Sequence, residues 1–438
     1  MRYVQLTSSA GARAVLTVNV ASELEQVTLS AEVAFSKRSW PFLLAMGIPW
    51  ILCSGQRVIG RMAGIASHPR SKSAYYRFLS EGKWRLHLLY SSLLRLIVDT
   101  FKPTELVLVL DDTLCPKWGK QIYGASSFFD HTHRPRPGYI WGHNWVVLAV
   151  VVSVGKCSAA LPFWIGLYRA KKDCPEGQFH TRHEMAVAVL HAARALFPGR
   201  VRLLADGAYG NDSVISQIEA LEIKLVSRLR GDATLRRPTP PRKPKRSRGR
   251  PATHGAPLPK LKAMARSRKQ FGSLRVWIYG KSVDLLVREF DAYWPAVRRV
   301  IKVVITRDPQ RPKRIAYLFS TDLELSATQV IESFSQRWTI EQLFSVAKNQ
   351  MGLGTAEVRK QRSVLRHAAL CMALITWTEI WAFRKHPRSW ARSFVQKLAS
   401  LRAETITATV FEAGPRTRGS RRKAQDIGTL FTAATKAA

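Results

Sequence analysis

Acidic residues are scarce in this sequence. It contains 30 aspartates and glutamates against 69 lysines and arginines in 438 residues, which gives a formal net charge of +39. A charge of this size exceeds what solubility requires and attracts polyanions. The basic residues extend from Lys37 to Lys436 and are not confined to one amphipathic helix. Extended contact with a nucleic acid duplex therefore fits this charge better than a membrane surface does.

Cysteines and long apolar runs are also few. The five cysteines form no Cys-x-x-Cys pair, which argues against a disulfide framework and a zinc ribbon and indicates a reducing cytosol. The longest apolar runs, Leu106–Leu110 and Val146–Val154, reach at most about half the length of a membrane helix, so we expect buried strands and no membrane span. Residues 1–35 show no secretory pattern. We expect a cytoplasmic protein associated with the nucleoid.

The N-terminal part of the chain is expected to be helical. Residues 37–103 have helical periodicity with basic residues between the apolar positions, and we interpret them as a helical DNA-binding domain. An ordinary helical bundle with a basic solvated face is the alternative. Residues 1–36 are left unassigned and are expected to be flexible.

The rest of the chain alternates strand and helix patterns, which predicts an α/β fold with a mixed sheet flanked by helices. We expect a catalytic core in two parts, 104–228 and 326–385. A basic loop and β-rich insertion over 229–325 separates the two parts, and a basic tail over 386–438 follows them. Two capping boxes, Thr181 with Glu184 and Ser326 with Gln329, predict helix starts.

Three acids stand where chemistry is expected. Asp112 and Asp206 follow buried strands, and Glu341 lies on a predicted helix far downstream. Two magnesium ions held by hard oxygen ligands could neutralise a phosphodiester and activate its attacking nucleophile. Acids at strand ends are common, so this pattern alone is weak. Neighbours on a strand point to opposite faces, so only one of Asp111 and Asp112 can face Asp206.

Several separated motifs resemble those of one enzyme family. Asp111–Lys120 resembles the Asp-Asp-Thr-x-x-Pro-Lys-x-Gly-Lys motif of prokaryotic insertion-sequence transposases with a DDE endonuclease domain, and Gly142–Val147 and Leu204–Gly210 are similar to its next two blocks. Around the glutamate, Arg337, Glu341 and Lys348 match the Tyr-x2-Arg-x3-Glu-x6-Lys signature of cut-and-paste members. Phe334 replaces the tyrosine of that signature. The resemblance covers most of residues 55–385.

The resemblance implies a ribonuclease-H-like core with Asp112, Asp206 and Glu341 as catalytic metal ligands. Asp112 is preferred to Asp111 because related transposases keep Asp-Thr at this point. The implied cofactor is two Mg²⁺ ions, for which Mn²⁺ could substitute. The implied activity is cleavage at transposon ends and strand transfer, with double-stranded DNA (the terminal inverted repeats and the target) as partner and a dimer on DNA.

Arg337 and Lys348 are expected to grip phosphates. If one helix covers 329–350, both lie within an arc of roughly 60° that includes Glu341. A break at Trp338-Thr339 is the competing prediction, and ordinary salt bridging with Glu341 is the alternative role.

Arg248 and Arg250 resemble an Arg-Gly-Arg minor-groove reader, with a solvated basic loop as an equal alternative. His131 and His133 could suggest a metal pair, although surface or DNA contact is favoured because no third ligand is near. Relatives often flip a base onto an aromatic side chain. Three aromatic residues could do so here, although core packing is favoured for each: Trp277, Trp294 and Tyr317.

Three other functions remain open. The chain could be a DNA-binding protein derived from a transposase, a ribosomal or RNA-structural protein, or a nuclease that hydrolyses without joining. The intact set of acids argues against the first, and acids at two buried strand ends are poorly explained by the second. The sequence barely separates the third from a transposase.

Overall fold

The computed structural model describes residues 2–7, 13–18, 22–53, 55–65, 71–130, 138–238, 254–267 and 270–407. The chain forms two compact units. The described residues of the first unit lie within Met1–Arg85, Thr355–Glu357 and Trp377–Ala438, and those of the second lie within Leu86–Gly354 and Val358–Thr376.

The helices and strands are numbered here in chain order. The helices are α1 (Ser22–Leu29), α2 (Trp40–Leu52), α3 (Ile59–Ile65), α4 (Lys72–Ser80), α5 (Leu86–Phe101), α6 (Arg182–Leu196), α7 (Asp212–Ala220), α8 (Leu261–Arg266), α9 (Ala327–Gln336), α10 (Trp338–Ser345), α11 (Gln361–Lys385) and α12 (Phe394–Thr405). The strands are β1 (Arg2–Thr7), β2 (Arg13–Val18), β3 (Glu105–Pro116), β4 (Ser126–Asp130), β5 (Gly138–Val154), β6 (Cys157–Tyr168), β7 (Arg200–Ala205), β8 (Ile223–Arg228), β9 (Gly272–Ile278), β10 (Lys281–Trp294), β11 (Arg299–Arg307), β12 (Ile315–Ser320) and β13 (Ile406–Thr407).

The first unit combines helices with a small sheet. It contains the N-terminal helices α1 to α4 and an aromatic cluster in which the rings of Phe35, Phe78 and Trp84 stack with centroids 5.0 to 6.4 Å apart. The Trp84 indole N–H donates to the Phe78 carbonyl, so this buried polar atom is satisfied. A three-stranded sheet, β1-β2-β13, contains two strands from residues 1–36, which were unassigned from the sequence, and one strand from the predicted tail.

The second unit is built on a ten-stranded mixed sheet. Its order is β4-β5-β3-β7-β8-β12-β11-β10-β9, and β6 also pairs with β5. The central strands β3 and β7 are parallel, and each contains a buried apolar run, Leu108–Leu110 in β3 and Leu203–Ala205 in β7, as expected for strands covered on both faces. The predicted α/β class is confirmed, and the helix-flanked mixed sheet is consistent with a ribonuclease-H-like fold.

The strands predicted as an insertion continue the same sheet. β12 pairs with β8, and β11, β10 and β9 follow outward as antiparallel neighbours. The basic loop therefore leaves the sheet after β8 and the chain returns to it. The described part of the predicted tail contains α12, so residues 386–407 are not simply an extended segment.

The long helix predicted over 329–350 is divided. Its start is confirmed, because the Ser326 capping box with Gln329 is present, as is the one that joins Thr181 and Glu184. α9 ends at Gln336, α10 begins at Trp338, and a π-helical turn covers Val346–Gln350. The break lies at Arg337, one residue before the competing prediction.

None of the helices in the described part of the chain combines the length and apolar character that a membrane crossing requires.

Candidate active site

Two parallel strands deliver acids to the same edge of the sheet. β3 and β7 pair residue by residue until Leu110 stands opposite Ala205, and Asp111 and Asp206 come next on the two strands. Residues that pair across parallel strands share a face, and successive residues alternate. Asp111 therefore projects to the same face of the sheet as Asp206, and Asp112 projects to the other.

Asp111 is tied to the glutamate helix through one arginine. The Arg337 guanidinium donates to Asp111 Oδ2 at 3.1 Å and also pairs with Glu341 on α10. Burial raises the pKa of Asp111 to about 7; repulsion from the carboxylates of Asp112 and Asp206 also raises it, against the opposing effect of Arg337. Acidic side chains are therefore concentrated where the parallel pairing of β3 with β7 ends, although β3 itself continues to Pro116 alongside β5.

Asp112 has different partners. Arg182, the first residue of α6, donates to Asp112 Oδ2 at 2.8 Å. The pKa of the buried Tyr209 hydroxyl is raised by burial and by the nearby carboxylates, first of all that of Asp112. Asp112 was the ligand predicted from the sequence, and it is Asp111 that lies in register with Asp206 and is joined to Glu341 through Arg337.

The donor atoms at this edge suit a hard divalent cation. Asp111, Asp206 and Glu341 supply carboxylate oxygens, and the crowding of negative charge around Asp111 is of the kind that a bound cation relieves. Within the described ranges, however, no three His, Cys, Asp or Glu side chains lie close enough together to form a ready-made metal cage. The positive charge of Arg337 bridges two of the three acids instead.

The other signature residues lie near the same strand. The Arg337 guanidinium lies over the Phe334 ring, 5.8 Å from its centroid, so an aromatic ring packs at the position of the signature tyrosine without a hydroxyl. Lys348 lies in the π-helical turn. Burial raises the pKa of the Cys115 thiol near the end of β3 to about 11, and the charge of Lys348 opposes that rise. Both basic residues are therefore close to the strand that carries Asp111.

Other residues of the first two motifs hold the end of β3 in position. Lys117 Nζ donates to the Gly354 carbonyl at 2.6 Å, which joins the end of β3 to the segment after the glutamate helix. Gly142 on β5 lies so close to β3 that an added Cβ would be 2.2 Å from the Cys115 carbonyl oxygen. His143 contacts the Tyr123 carbonyl through Nε2 at 3.0 Å. Sequence reasoning used these residues only as a resemblance and did not predict the contacts.

The aromatic candidates of the sequence analysis are partly covered. Trp294 packs edge-on against Phe319, with centroids 5.3 Å apart, and Lys156 lies 4.5 Å above the Trp277 ring. Tyr317 is also partly buried. All three side chains are half-buried, so they belong neither to the buried core nor to the fully exposed surface.

Two aromatic residues that sequence reasoning missed are exposed instead. Tyr279 and Trp338 are 62% and 47% exposed, with ring centroids 6.3 Å apart. Tyr279 has φ of 51° and Gly280 has φ of 76° in the β9–β10 hairpin turn, so the Tyr-Gly pair between two strands was the available signal. The predicted DNA contacts Arg248 and Arg250, and also His131 and His133, lie outside the described residues.

Comparison with known protein families gives two matches. Residues 34–273 match the family described as DDE superfamily endonuclease, and residues 177–377 match the transposase DDE domain. Together they include the three aspartates Asp111, Asp112 and Asp206 and the glutamate helix α10. No curated protein matches the chain.

Proposed function

The chain belongs to the DDE superfamily endonuclease family, and from that premise we propose that it is a transposase that cuts DNA at transposon ends and joins the freed 3′ ends to target DNA. The observation that carries the proposal is the shared face of Asp111 and Asp206, linked to Glu341 through Arg337. Transposase families act on DNA, and the charge of +39 suits a polyanionic partner.

We propose that Asp111, Asp206 and Glu341 hold two divalent ions, Mg²⁺ by preference with Mn²⁺ able to replace it. Such ions, when bound, activate the attacking oxygen and stabilise the leaving oxygen of the phosphodiester. Asp112, the ligand preferred from the sequence, is the alternative to Asp111. In this proposal Asp112 fixes Arg182 at the start of α6 and so supports the strand end from the other face.

Arg337 has two tasks in this proposal. In the free protein it neutralises Asp111 and Glu341, with a side chain only 16% exposed. If cations held the carboxylates, the Arg337 guanidinium would be free to donate to the phosphate next to the cut, since its planar fork matches phosphate oxygens. Lys348, in the π-helical turn, would supply a second positive charge for the phosphates of the same DNA strand. No side chain forms a covalent bond to DNA.

The proposed substrates are the terminal inverted repeats of a transposon and a target duplex. Both transposon ends must be brought together, so we propose that the protein acts as a dimer on DNA. Sedimentation of the complex with a labelled repeat tests this, and one protomer per paired-end complex would contradict it.

The catalytic assignment predicts a specific ranking of variants. Cleavage of a labelled duplex that carries the repeats is measured in Mg²⁺ and in Mn²⁺ for the wild type and four variants: Asp111→Asn, Asp112→Asn, Asp206→Asn and Glu341→Gln. Loss of a ligand should reduce cleavage at least about 100-fold, whereas Asp112→Asn should stay within about tenfold. DNA binding should persist in all of them.

The other outcomes each have a meaning. If Asp112→Asn abolishes cleavage and Asp111→Asn does not, the ligand is Asp112. If the wild type binds but cuts in neither metal, the chain is a DNA-binding relic. If cut ends are never joined to a plasmid target, it is a hydrolytic nuclease without joining activity.

A further inference from the structure

A group of exposed aromatic side chains lies away from the acids, around the β4–β5 hairpin. Four residues, which we call the aromatic ribbon, are Trp118, Phe129, Tyr139 and Trp141, and they are 97%, 39%, 73% and 39% exposed. Exposed aromatic side chains clustered in this way mark binding surfaces more often than single exposed apolar residues do. Neither the proposed metal site nor the core uses them.

The ribbon is held in place by the sheet. Phe129 and Tyr139 are paired across β4 and β5, and their rings meet edge to face at 5.5 Å. Trp141 donates its indole N–H to the Gly119 carbonyl at 3.1 Å and thereby anchors the loop that carries Trp118. The rings of Phe129, Tyr139 and Trp141 are positioned before any partner arrives, which lowers the entropic cost of binding one.

Strand β5 connects the ribbon to the active-site edge. Its pairing with β3 sets Val147 opposite Asp111 and continues residue by residue to Gly142. Residues an even number of positions apart share a face, so Tyr139 and Trp141 project to the same face as Val147 and Asp111. Six residues at about 3.4 Å each place Trp141 roughly 20 Å along the strand from Val147. A DNA strand bound at the acids could therefore reach the ribbon along one face of the sheet.

The charge around the ribbon favours DNA over a second copy of the chain. From Thr113 to Gly142 the sequence has a single acid, Asp130, and that residue is only 5% exposed. Lys120 is exposed in the same segment. Two copies with a net charge of +39 each repel one another, whereas a polyanion is attracted.

We propose that the aromatic ribbon stacks against unpaired nucleotides of the DNA strand that leaves the active site. Every base has a π-face, so aromatic side chains beside positive charge bind single-stranded DNA without regard to sequence. This inference rests on the proposed function only in taking DNA as the partner. The ribbon would be a second contact between protein and substrate, made with the DNA strand beyond the cut.

Binding to two DNA probes tests the proposal. The full chain is titrated, without divalent metal, against fluorescent oligothymidine of about 16 nucleotides and against a duplex of the same length. The double variant Trp118→Ala/Tyr139→Ala should weaken oligothymidine binding about tenfold or more and leave duplex binding unchanged. The slope of log affinity against log salt should not change, because aromatic contacts release no counterions.

Two controls accompany the double variant. Trp118→Phe/Tyr139→Phe keeps an aromatic ring at both positions and should bind oligothymidine as the wild type does. If the indole N–H and the phenol hydroxyl only had a structural role, this variant would lose binding as well. Leu323→Ala removes an apolar side chain of 40% exposure elsewhere in the same unit and should have no effect.

Three results would overturn the inference: no loss of oligothymidine binding, equal loss for both probes, or a metal-free dimer that dissociates in the double variant. The last result would make the ribbon an interface between copies. The binding test requires no cleavage. A protein that never cuts DNA could still bind oligothymidine through the ribbon, and a protein that cuts DNA could do so without the ribbon. The two proposals can therefore fail separately.

Discussion

At the residue scale, two adjacent aspartates have identical side chains and different surroundings. Asp111 shares Arg337 with Glu341, and Asp112 pairs with Arg182 on α6. The difference comes entirely from the alternation of side chains along β3. The sequence predicted that one of the two would face Asp206. It could not show which one, because that depends on the register between β3 and β7.

Stability should depend on Gly142 of β5, because β3 leaves no room there for a side chain. Gly142→Ala would set a methyl group 2.2 Å from the backbone oxygen of Cys115, and a backbone atom cannot move aside as a side chain can. We expect a loss of roughly 1–3 kcal/mol in the free energy of unfolding, measured by urea denaturation. Gly138→Ala on the same strand is the matched control, since nothing lies within 4 Å of its added Cβ. Equal effects of the two substitutions would contradict this explanation.

At the scale of elements, α11 and α12 are joined by a buried ion pair within the first unit. Lys397 Nζ lies 2.7 Å from Glu379 Oε2, and both side chains are less than 10% exposed. Burial raises the pKa of Glu379, and Lys397 opposes that shift. The ammonium also lies 4.4 Å from the centroid of the Trp390 ring.

Breaking this pair should destabilise the helix contact strongly. Glu379→Leu or Lys397→Met alone leaves a buried charge without its partner, and we expect a cost of about 3–5 kcal/mol. The double variant should cost less than the two single variants added together. Urea midpoints measure both effects. The exposed pair Arg275–Asp284 is the control, and its removal should scarcely move the midpoint. An additive double variant would contradict this prediction.

Element boundaries were predictable where local chemistry sets them. The Thr181 and Ser326 capping boxes gave two helix starts correctly, and the apolar runs gave the central strands. A break near Arg337 was predicted only as the competing possibility, and the π-helical turn was not predicted. The helix α10, which follows the break, packs against β6 and β3, and local propensity does not reveal such contacts. Lys117 and Gly354 are 237 residues apart in sequence, so no local pattern could reveal their contact.

At the scale of the whole molecule, pH should act through two buried histidines of the second unit. Burial, with help from the charge of Lys117, lowers the pKa of His143 to about 4 and that of His367 to about 3. In the unfolded chain both titrate near 6.5. As the pH falls below 6.5 the unfolded state takes up protons first, so stability is lost between pH 6.5 and about 4 for His143 and continues to fall to about 3 for His367.

Below both pKa values of a histidine, the loss in the free energy of unfolding is on the order of 3 kcal/mol per histidine. Urea unfolding at pH 7.5 and at lower pH values measures it, and the double variant His143→Gln/His367→Gln should lose less stability on acidification than the wild type. His191→Gln changes an exposed histidine on α6 and serves as the control. The same fall in all three proteins would assign the acid sensitivity to other groups.

The run Leu106–Leu110 is apolar at every position, so β3 has no alternation of apolar and polar residues to define how it aligns with its neighbours. A slip of one residue would bury a similar surface and would exchange Asp111 and Asp112. The close approach at Gly142 and the bond from Lys117 to Gly354 fit one alignment only. These contacts therefore fix which of the two aspartates lies beside Arg337 and Glu341, although neither contact involves an aspartate.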